Sequence, residues 1–152
     1  MFIYYKGSGI NANLALLINM FIVVAVLGVF NMTLTLTGIA GLVLTVGITV
    51  DANVIIFERI KEEYWAGKSP ATSIDIGFKR AFWTIMDSHV TSLIAVLFLS
   101  LLSKGAVQGF AVTMAVGLVA SLFTSLFVSR LIFDFETDVL KTKKISIAWR
   151  KI

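Results

Sequence analysis

The sequence predicts an all-α protein: a polytopic membrane helical bundle of four full transmembrane helices plus the end of a preceding one. Of its 152 residues, 58% are hydrophobic and 14% charged, whereas soluble domains run about 45–50% apolar and about 25% charged. The mean hydropathy of +0.93 points the same way. The apolar residues also fall in long uncharged runs, which a soluble core does not need and a hydrocarbon layer ~30 Å thick does.

Residues 1–5 (MFIYY) are apolar and are followed by Lys6, Gly7, Ser8 and Gly9. With no basic n-region and no small-residue cleavage site, this start does not read as a signal peptide. It reads as the end of a truncated transmembrane helix, which makes the chain the C-terminal portion of something longer. The first full span covers about 13–30 without a charge, and a polar break at 31–35 leads to the second, about 36–57, which is uncharged except for Asp51. Charge returns at Glu58 and opens a hydrophilic loop, 58–80. Within it, Gly67-Lys68-Ser69-Pro70 predicts a turn with Ser69 as helix N-cap and Pro70 at the first helical position. A short surface helix, 71–80, then leads into the third span, about 81–102. Ser103-Lys104-Gly105 turns the chain into the fourth span, about 107–133, and a basic tail, 136–152, follows. Residues 6–135 thus form one transmembrane domain.

Orientation follows from the cations. Arg59, Lys61, Lys68, Lys79 and Arg80 occupy the middle loop, while Arg130, Lys141, Lys143, Lys144, Arg150 and Lys151 lie at or after the last span. The other two connections hold only Lys104. The positive-inside rule places the middle loop and both termini in the cytoplasm. Tyr64, Trp65 and Trp83 suit an interfacial aromatic belt there. The net charge of +4 is accounted for by these flanks, so it does not argue for nucleic acid. Cysteine is absent and His89 is the single histidine, which excludes thiolate chemistry and a His-rich metal site. No phosphate loop, GxSxG elbow or zinc or haem ligand cluster occurs, and no cofactor or catalytic residue set is expected.

The polar residues inside the spans carry the functional expectations. A carboxylate in a span costs a few kcal/mol on insertion scales, so Asp51 should face a protein interior or a wet cavity. A carboxyl in that setting can take up and release a proton; the plainer reading is a protonated Asp that hydrogen-bonds a neighbouring helix. Asp87 lies seven residues from Arg80, as Asp51 lies seven from Glu58, which puts both ~10 Å from the same boundary. If the spans touch, the two could share a proton; otherwise Asp87 bonds a nearby hydroxyl or meets water. Thr84, Asp87, Ser88, Thr91 and Ser92 form a polar stripe on the third span that either lines a hydrated path or bonds across to another helix. His89 points away from the centre of that stripe, as a structural hydrogen-bonder would. Gly109, Thr113, Gly117, Ser121, Ser125 and Ser129 recur every four residues, a small-residue stripe for close helix packing. Gly38, Gly41 and Gly47 read the same way in the second span. The mixed charges of 58–63 suit a solvated helix end.

The segment Gly47-Ile-Thr-Val-Asp-Ala-Asn-Val-Ile-Ile-Phe-Glu-Arg-Ile-Lys-Glu-Glu63 closely resembles the fourth transmembrane segment of SecD-type members of the SecD/SecF protein-export family, within the resistance-nodulation-division superfamily. Thr37-Gly-Ile-Ala-Gly-Leu42, Ile74-Asp-Ile-Gly-Phe-Lys-Arg-Ala-Phe82 and Gly109-Phe-Ala-Val-Thr113 extend the similarity to about residues 4–135. The resemblance implies a bacterial inner-membrane subunit that works with SecF, the two supplying twelve spans in pseudo-symmetric halves. It implies use of the proton-motive force to assist preprotein translocation after the SecA–SecYEG step. The implied partners are SecF, the SecYEG translocon, membrane lipids, and preprotein through an extracytoplasmic domain that this chain does not contain. Asp51 falls on the family's proton-transfer carboxylate, Asn53 on the same motif, and Glu58 and Arg59 on its charged end. The chain departs from the family at His89, where Asn is usual. A non-transporting assembly fragment and a small-solute exporter of the same superfamily are the alternatives.

Overall fold

The computed structural model describes residues 2–32 and 34–138. They form α1 (Phe2–Val29), α2 (Leu36–Trp65), α3 (Pro70–Leu102), α4 (Ala106–Phe123), a π turn (Thr124–Val128) and α5 (Ser129–Asp138), with no strand among the described residues. The π turn joins α4 and α5 without a break, the Ser129 N–H bonding back to the Thr124 carbonyl. Four helical stretches are long and apolar enough to cross a membrane: Ser8–Val29, Leu36–Trp65, Pro70–Leu102 and Ala106–Phe135. The predicted tail beyond 138 lies outside the described residues.

Local chemistry sets the helix starts. The Thr35 hydroxyl caps α2 by accepting from the Gly38 N–H at 3.0 Å. Close by, Thr37 Oγ1 donates to the Ala106 carbonyl at 2.6 Å and ties the start of α2 to that of α4. Ser69 caps α3, accepting from the Thr72 N–H at 3.3 Å, with Pro70 where its missing N–H costs nothing.

Two features differ from expectation. The break expected after Tyr5 is not there, because Lys6-Gly7-Ser8-Gly9 continues α1 and Ser8 is fully buried. A run of turn-type residues can stay helical where an interruption would strand backbone N–H and C=O groups away from water. The hydrophilic segment 58–80 is likewise not a loop carrying a separate surface helix. It is the end of α2, a four-residue connection, and the beginning of α3. At ~1.5 Å per residue, the 30 residues of α2 and 33 of α3 exceed the ~30 Å of hydrocarbon, so their joined ends project beyond it as a helical hairpin. Ion pairs one turn apart line these ends: Arg59–Glu62 at 2.9 Å, Lys61–Glu58 at 3.0 Å and Lys79–Asp75 at 2.7 Å.

The largest cluster of buried apolar side chains lies at the end where this hairpin emerges. Tyr5, Phe57, Phe78 and Phe133, contributed by α1, α2, α3 and α5, meet edge to face. Centroid distances are 5.3 Å for Tyr5–Phe57, 5.4 Å for Phe57–Phe133 and 6.1 Å for Phe78–Phe133. Ile56, Ile60, Ile74, Ala81 and Ile85 complete this core. Farther along, α4 packs closely on α2 through its small residues, and a side chain on Gly117 would collide with Thr45. Gly77 lets α3 touch α2, since a Cβ there would stand 2.5 Å from Ile60 Cγ1 and 2.9 Å from the Ile60 backbone. Gly47 does not serve this purpose: it is exposed, and a Cβ there would meet nothing within 4 Å.

These contacts set opposite expectations for one substitution at two glycines. Gly77→Val should destabilise the bundle by about 1–3 kcal/mol through overpacking, whereas Gly47→Val should stay within about 0.5 kcal/mol of the parent. Reversible unfolding in mixed SDS micelles reads both, and equal losses would contradict this packing.

Candidate functional site

Helix α2 carries two polar faces. On the inner one, Thr45, Thr49 and Asn53 follow one another a turn apart, each fully buried. Each satisfies itself on the preceding turn: Thr45 Oγ1 donates to the Gly41 carbonyl at 2.9 Å, Thr49 Oγ1 to that of Thr45 at 2.9 Å, and Asn53 Nδ2 to that of Thr49 at 3.0 Å. Two other helices reach this column. Asn19 of α1 donates through Nδ2 to Thr49 Oγ1 at 2.7 Å, and Ser129 of α5 donates to Asn53 Oδ1 at 2.8 Å. Near Ser129, two side chains of the π turn bond carbonyls of the preceding turn of α4 in the same manner. Thr124 Oγ1 donates to the Ala120 carbonyl at 3.0 Å and Ser125 Oγ to that of Ser121 at 2.6 Å. The result is a polar seam joining α1, α2 and the last helix, in which Asn19 Oδ1 is buried without a hydrogen-bond partner.

Asp51 lies two residues from both Thr49 and Asn53, about 200° around the helix, and so on the opposite side. Its side chain is exposed on the surface of the four-helix bundle and makes no hydrogen bond or ion pair among the described residues. Within the bundle the charge of Asp51 is felt at His89 of α3. His89 is only 3% exposed. Its Nδ1 stands 3.0 Å from the Ile85 carbonyl and its Nε2 3.2 Å from Ser121 Oγ. A carbonyl only accepts, so Nδ1 carries the hydrogen, and in the neutral ring Nε2 accepts from the serine hydroxyl. His89 therefore bridges α3 to α4 while lying within the field of Asp51.

The rest of the α3 stripe turns the other way. Thr84, Asp87, Ser88 and Thr91 are all exposed on the bundle surface. Ser88 Oγ donates to the Ile85 carbonyl at 3.0 Å and Ser92 Oγ to that of Ser88 at 2.8 Å, so these hydroxyls bond their own helix and not a neighbour. No hydrogen bond joins Asp51 to Asp87 among the described residues. The packing residues face inward: Thr113, Gly117, Ser121 and Ser125 are buried and Gly109 half-buried, with Thr35 opposite Gly109 and Thr45 opposite Gly117.

At the hairpin end, Glu58 accepts from the Tyr5 hydroxyl at 2.7 Å and from Lys61, while Arg59 pairs outward with Glu62. The buried carboxylate of Glu63 pairs with both Lys68 and Arg80, locking the hairpin closed. No three His, Cys, Asp or Glu side chains come together among the described residues, so no metal-ligand set is present there. Asn19, Thr45, Thr49 and Tyr5 have structural parts that the reading of polar residues passed over. The four-residue spacing Thr45–Thr49–Asn53 was the available signal. Asn19 lies eight residues, about two turns, after Asn11, which is also buried, and Tyr5 offered no such spacing.

Comparison with known proteins places this geometry. A family model described as the protein export membrane protein SecD/SecF, C-terminal, matches residues 1–137. The protein translocase subunit SecD of Treponema pallidum is 54% identical over 150 residues, covering 99% of this chain and 26% of that protein. The subunit of the same name from Borreliella burgdorferi is 53% identical over 148 residues, covering 97% of this chain and 25% of that protein. The chain thus spans about a quarter of the length of these curated relatives. The crystal structure of SecDF, a translocon-associated membrane protein from Thermus thermophilus, superimposes with a TM-score of 0.91. That match is 42% identical and covers 97% of this chain and 20% of the other.

The seam makes a measurable claim. Interhelical hydrogen bonds in membrane proteins couple by ~0.6 kcal/mol on average and ~1.7 at most. A double-mutant cycle of Asn53→Ala and Ser129→Ala should return a coupling in that range. A cycle that closes to zero would mean the bond contributes nothing to stability.

Proposed function

Because the chain belongs to the SecD/SecF family of protein export membrane proteins, we propose that it is the C-terminal membrane part of a Sec translocase subunit. In this reading the subunit uses the proton-motive force to assist preprotein translocation after the SecA–SecYEG step. It lies in the bacterial inner membrane, with the hairpin and both ends of this chain on the cytoplasmic side. SecF and SecYEG are its partners, and preprotein is met through extracytoplasmic parts of the whole subunit.

The supporting observation is the outward aspect of Asp51. A carboxylate at membrane depth belongs against protein or in a wet cavity, and the described part of this chain gives it neither. A second protein surface therefore has to complete the site, and SecF, as the other half of a pseudo-symmetric pair, fits that requirement. Protonated, Asp51 is neutral and tolerates an apolar setting; ionised, it calls for water or a cation. That alternation lets one carboxylate receive a proton from one side and release it to the other. Each charge crossing 100 mV supplies ~2.3 kcal/mol. Asp87, exposed on α3 and seven residues from Arg80 as Asp51 is from Glu58, is the second candidate carrier. Asn53, held by Ser129, and His89, held by Ser121, fix the helices that bear them. Glu58 and Arg59 at the hairpin end, with Thr84, Ser88 and Thr91 on the exposed face of α3, are supporting polar groups.

The same exposure favours one other reading, in which Asp51 is an assembly contact only. Asp51→Asn in the full-length subunit, reconstituted with its partners, separates the two. Export should fall to the level measured without a proton gradient, while SecF still co-purifies in full yield. Gradient-stimulated export by that variant would remove Asp51 from the proton path, and loss of SecF would make it an assembly residue.

A further inference from the structure

His89 is the one histidine of the chain, and its ring is buried between α3 and α4. Two packing contacts set its level against α2. Gly77 of α3 lies on Ile60 of α2, and the two helices of the hairpin run in opposite directions. Asp51, nine residues before Ile60, is therefore level with Met86, nine after Gly77. Helix α4 runs the same way as α2, with Thr35 opposite Gly109 and Thr45 opposite Gly117. Ser121, which meets the His89 ring, is therefore level with Thr49. Both registers put His89 two or three residues in level from Asp51, or ~3–5 Å along the helix axes. The charge of Asp51 is accordingly felt at the ring. Among the described residues no other titratable group faces it. Asp87, two residues away on α3, stands about 200° round that helix and is exposed. Helix α4 carries no titratable residue, and the charges of α5 begin at Arg130, which pairs with Asp75, ~21 Å along α3 from His89.

We propose that His89 is the proton-holding partner of Asp51: the ring takes up a proton at Nε2 when Asp51 gives one up, and the pair as a whole stays neutral. This rests on the reading of Asp51 as a carboxyl that gains and loses a proton. Ionised at membrane depth, Asp51 calls for a cation, and an imidazolium at this level supplies one from within the chain. A buried imidazolium in turn needs a carboxylate to compensate it. The hydrogen bonds allow the change without turning the ring. Nδ1–H stays on the Ile85 carbonyl in both states. The Asp51 O–H bond breaks and the Nε2 lone pair takes a proton to form N–H. The Ser121 hydroxyl, one donor with two lone pairs, then turns from donor to acceptor. The tie between α3 and α4 thus holds in both states while the proton changes place.

A single histidine makes the ring directly observable. The chain, isotope-labelled in the histidine ring and the aspartate carboxyls, is reconstituted into phosphatidylcholine vesicles. Solid-state NMR follows both groups from about pH 5 to about pH 8, where histidine titrates. The Asp51 carboxyl is the signal missing from the Asp51→Asn spectrum. Protonated Nε2 should rise and fall together with ionised Asp51. In Asp51→Asn the protonated-to-neutral ratio of the ring should fall about tenfold, the least that an opposite charge at this range supplies. A ratio unchanged by Asp51→Asn would overturn the proposal. A ring that stays neutral while Asp51 ionises would do so too, as a histidine that only ties α3 to α4 would behave, and would leave the proton-transfer reading of Asp51 standing. An Asp51 that keeps its proton through the whole range would overturn both.

Discussion

In hydrocarbon there is no water to satisfy a stray donor or acceptor, and each polar group in the spans must find its partner in protein. The inner face of α2 meets this demand turn by turn. Thr45, Thr49 and Asn53 bond the carbonyls behind them, and Asn19 and Ser129 bring α1 and α5 onto the remaining oxygens. Small residues on α4 let the backbones come close enough for this to happen, and the aromatic cluster around Phe57 and Phe133 closes one end. The bundle is held by a buried polar seam and by the buried apolar clusters around it.

Against that background Asp51 is the exception. Its neighbours two residues away on either side are hydrogen-bonded inside the bundle, yet its own carboxylate faces outward, its charge felt by a histidine whose ring is committed to α3 and α4. A hydrogen-bonded face behind an unpartnered group on the same helix presents that group to a second surface. The same logic applies to Asp87 and the hydroxyls on the outer face of α3, which bond only to their own backbone.

Much of this was legible in the residues. Hydropathy located all four spans, Ser69-Pro70 located the start of α3, and the four-residue spacing of small residues located the α4 face that packs. What escaped depends on tertiary placement. Lys6-Gly7-Ser8-Gly9 has the composition of a turn, and only its surroundings keep it helical. Gly47 has the same chemistry as Gly77 but nothing opposite it. A polar stripe such as Thr84–Asp87–Thr91 reads identically whether it faces a sister helix or another subunit. Periodicity fixes which residues share a face, and leaves open what that face meets.

The π turn in the last helix has a consequence of its own. An α-helix transmits phase faithfully, ~100° for each residue, so a misfit at one end is inherited by the other. A single wider turn, which takes up a surplus residue, breaks that inheritance. Above Thr124 the helix is phased to the tight face of α2; below Val128 it is phased to Asn53 through Ser129 and to the aromatic cluster through Phe133. These are two separate docking problems, and no one uninterrupted α-helical phase has to solve both. The two halves can drift independently in sequence, each answering to its own neighbours, with five residues between them serving as the coupling that slips.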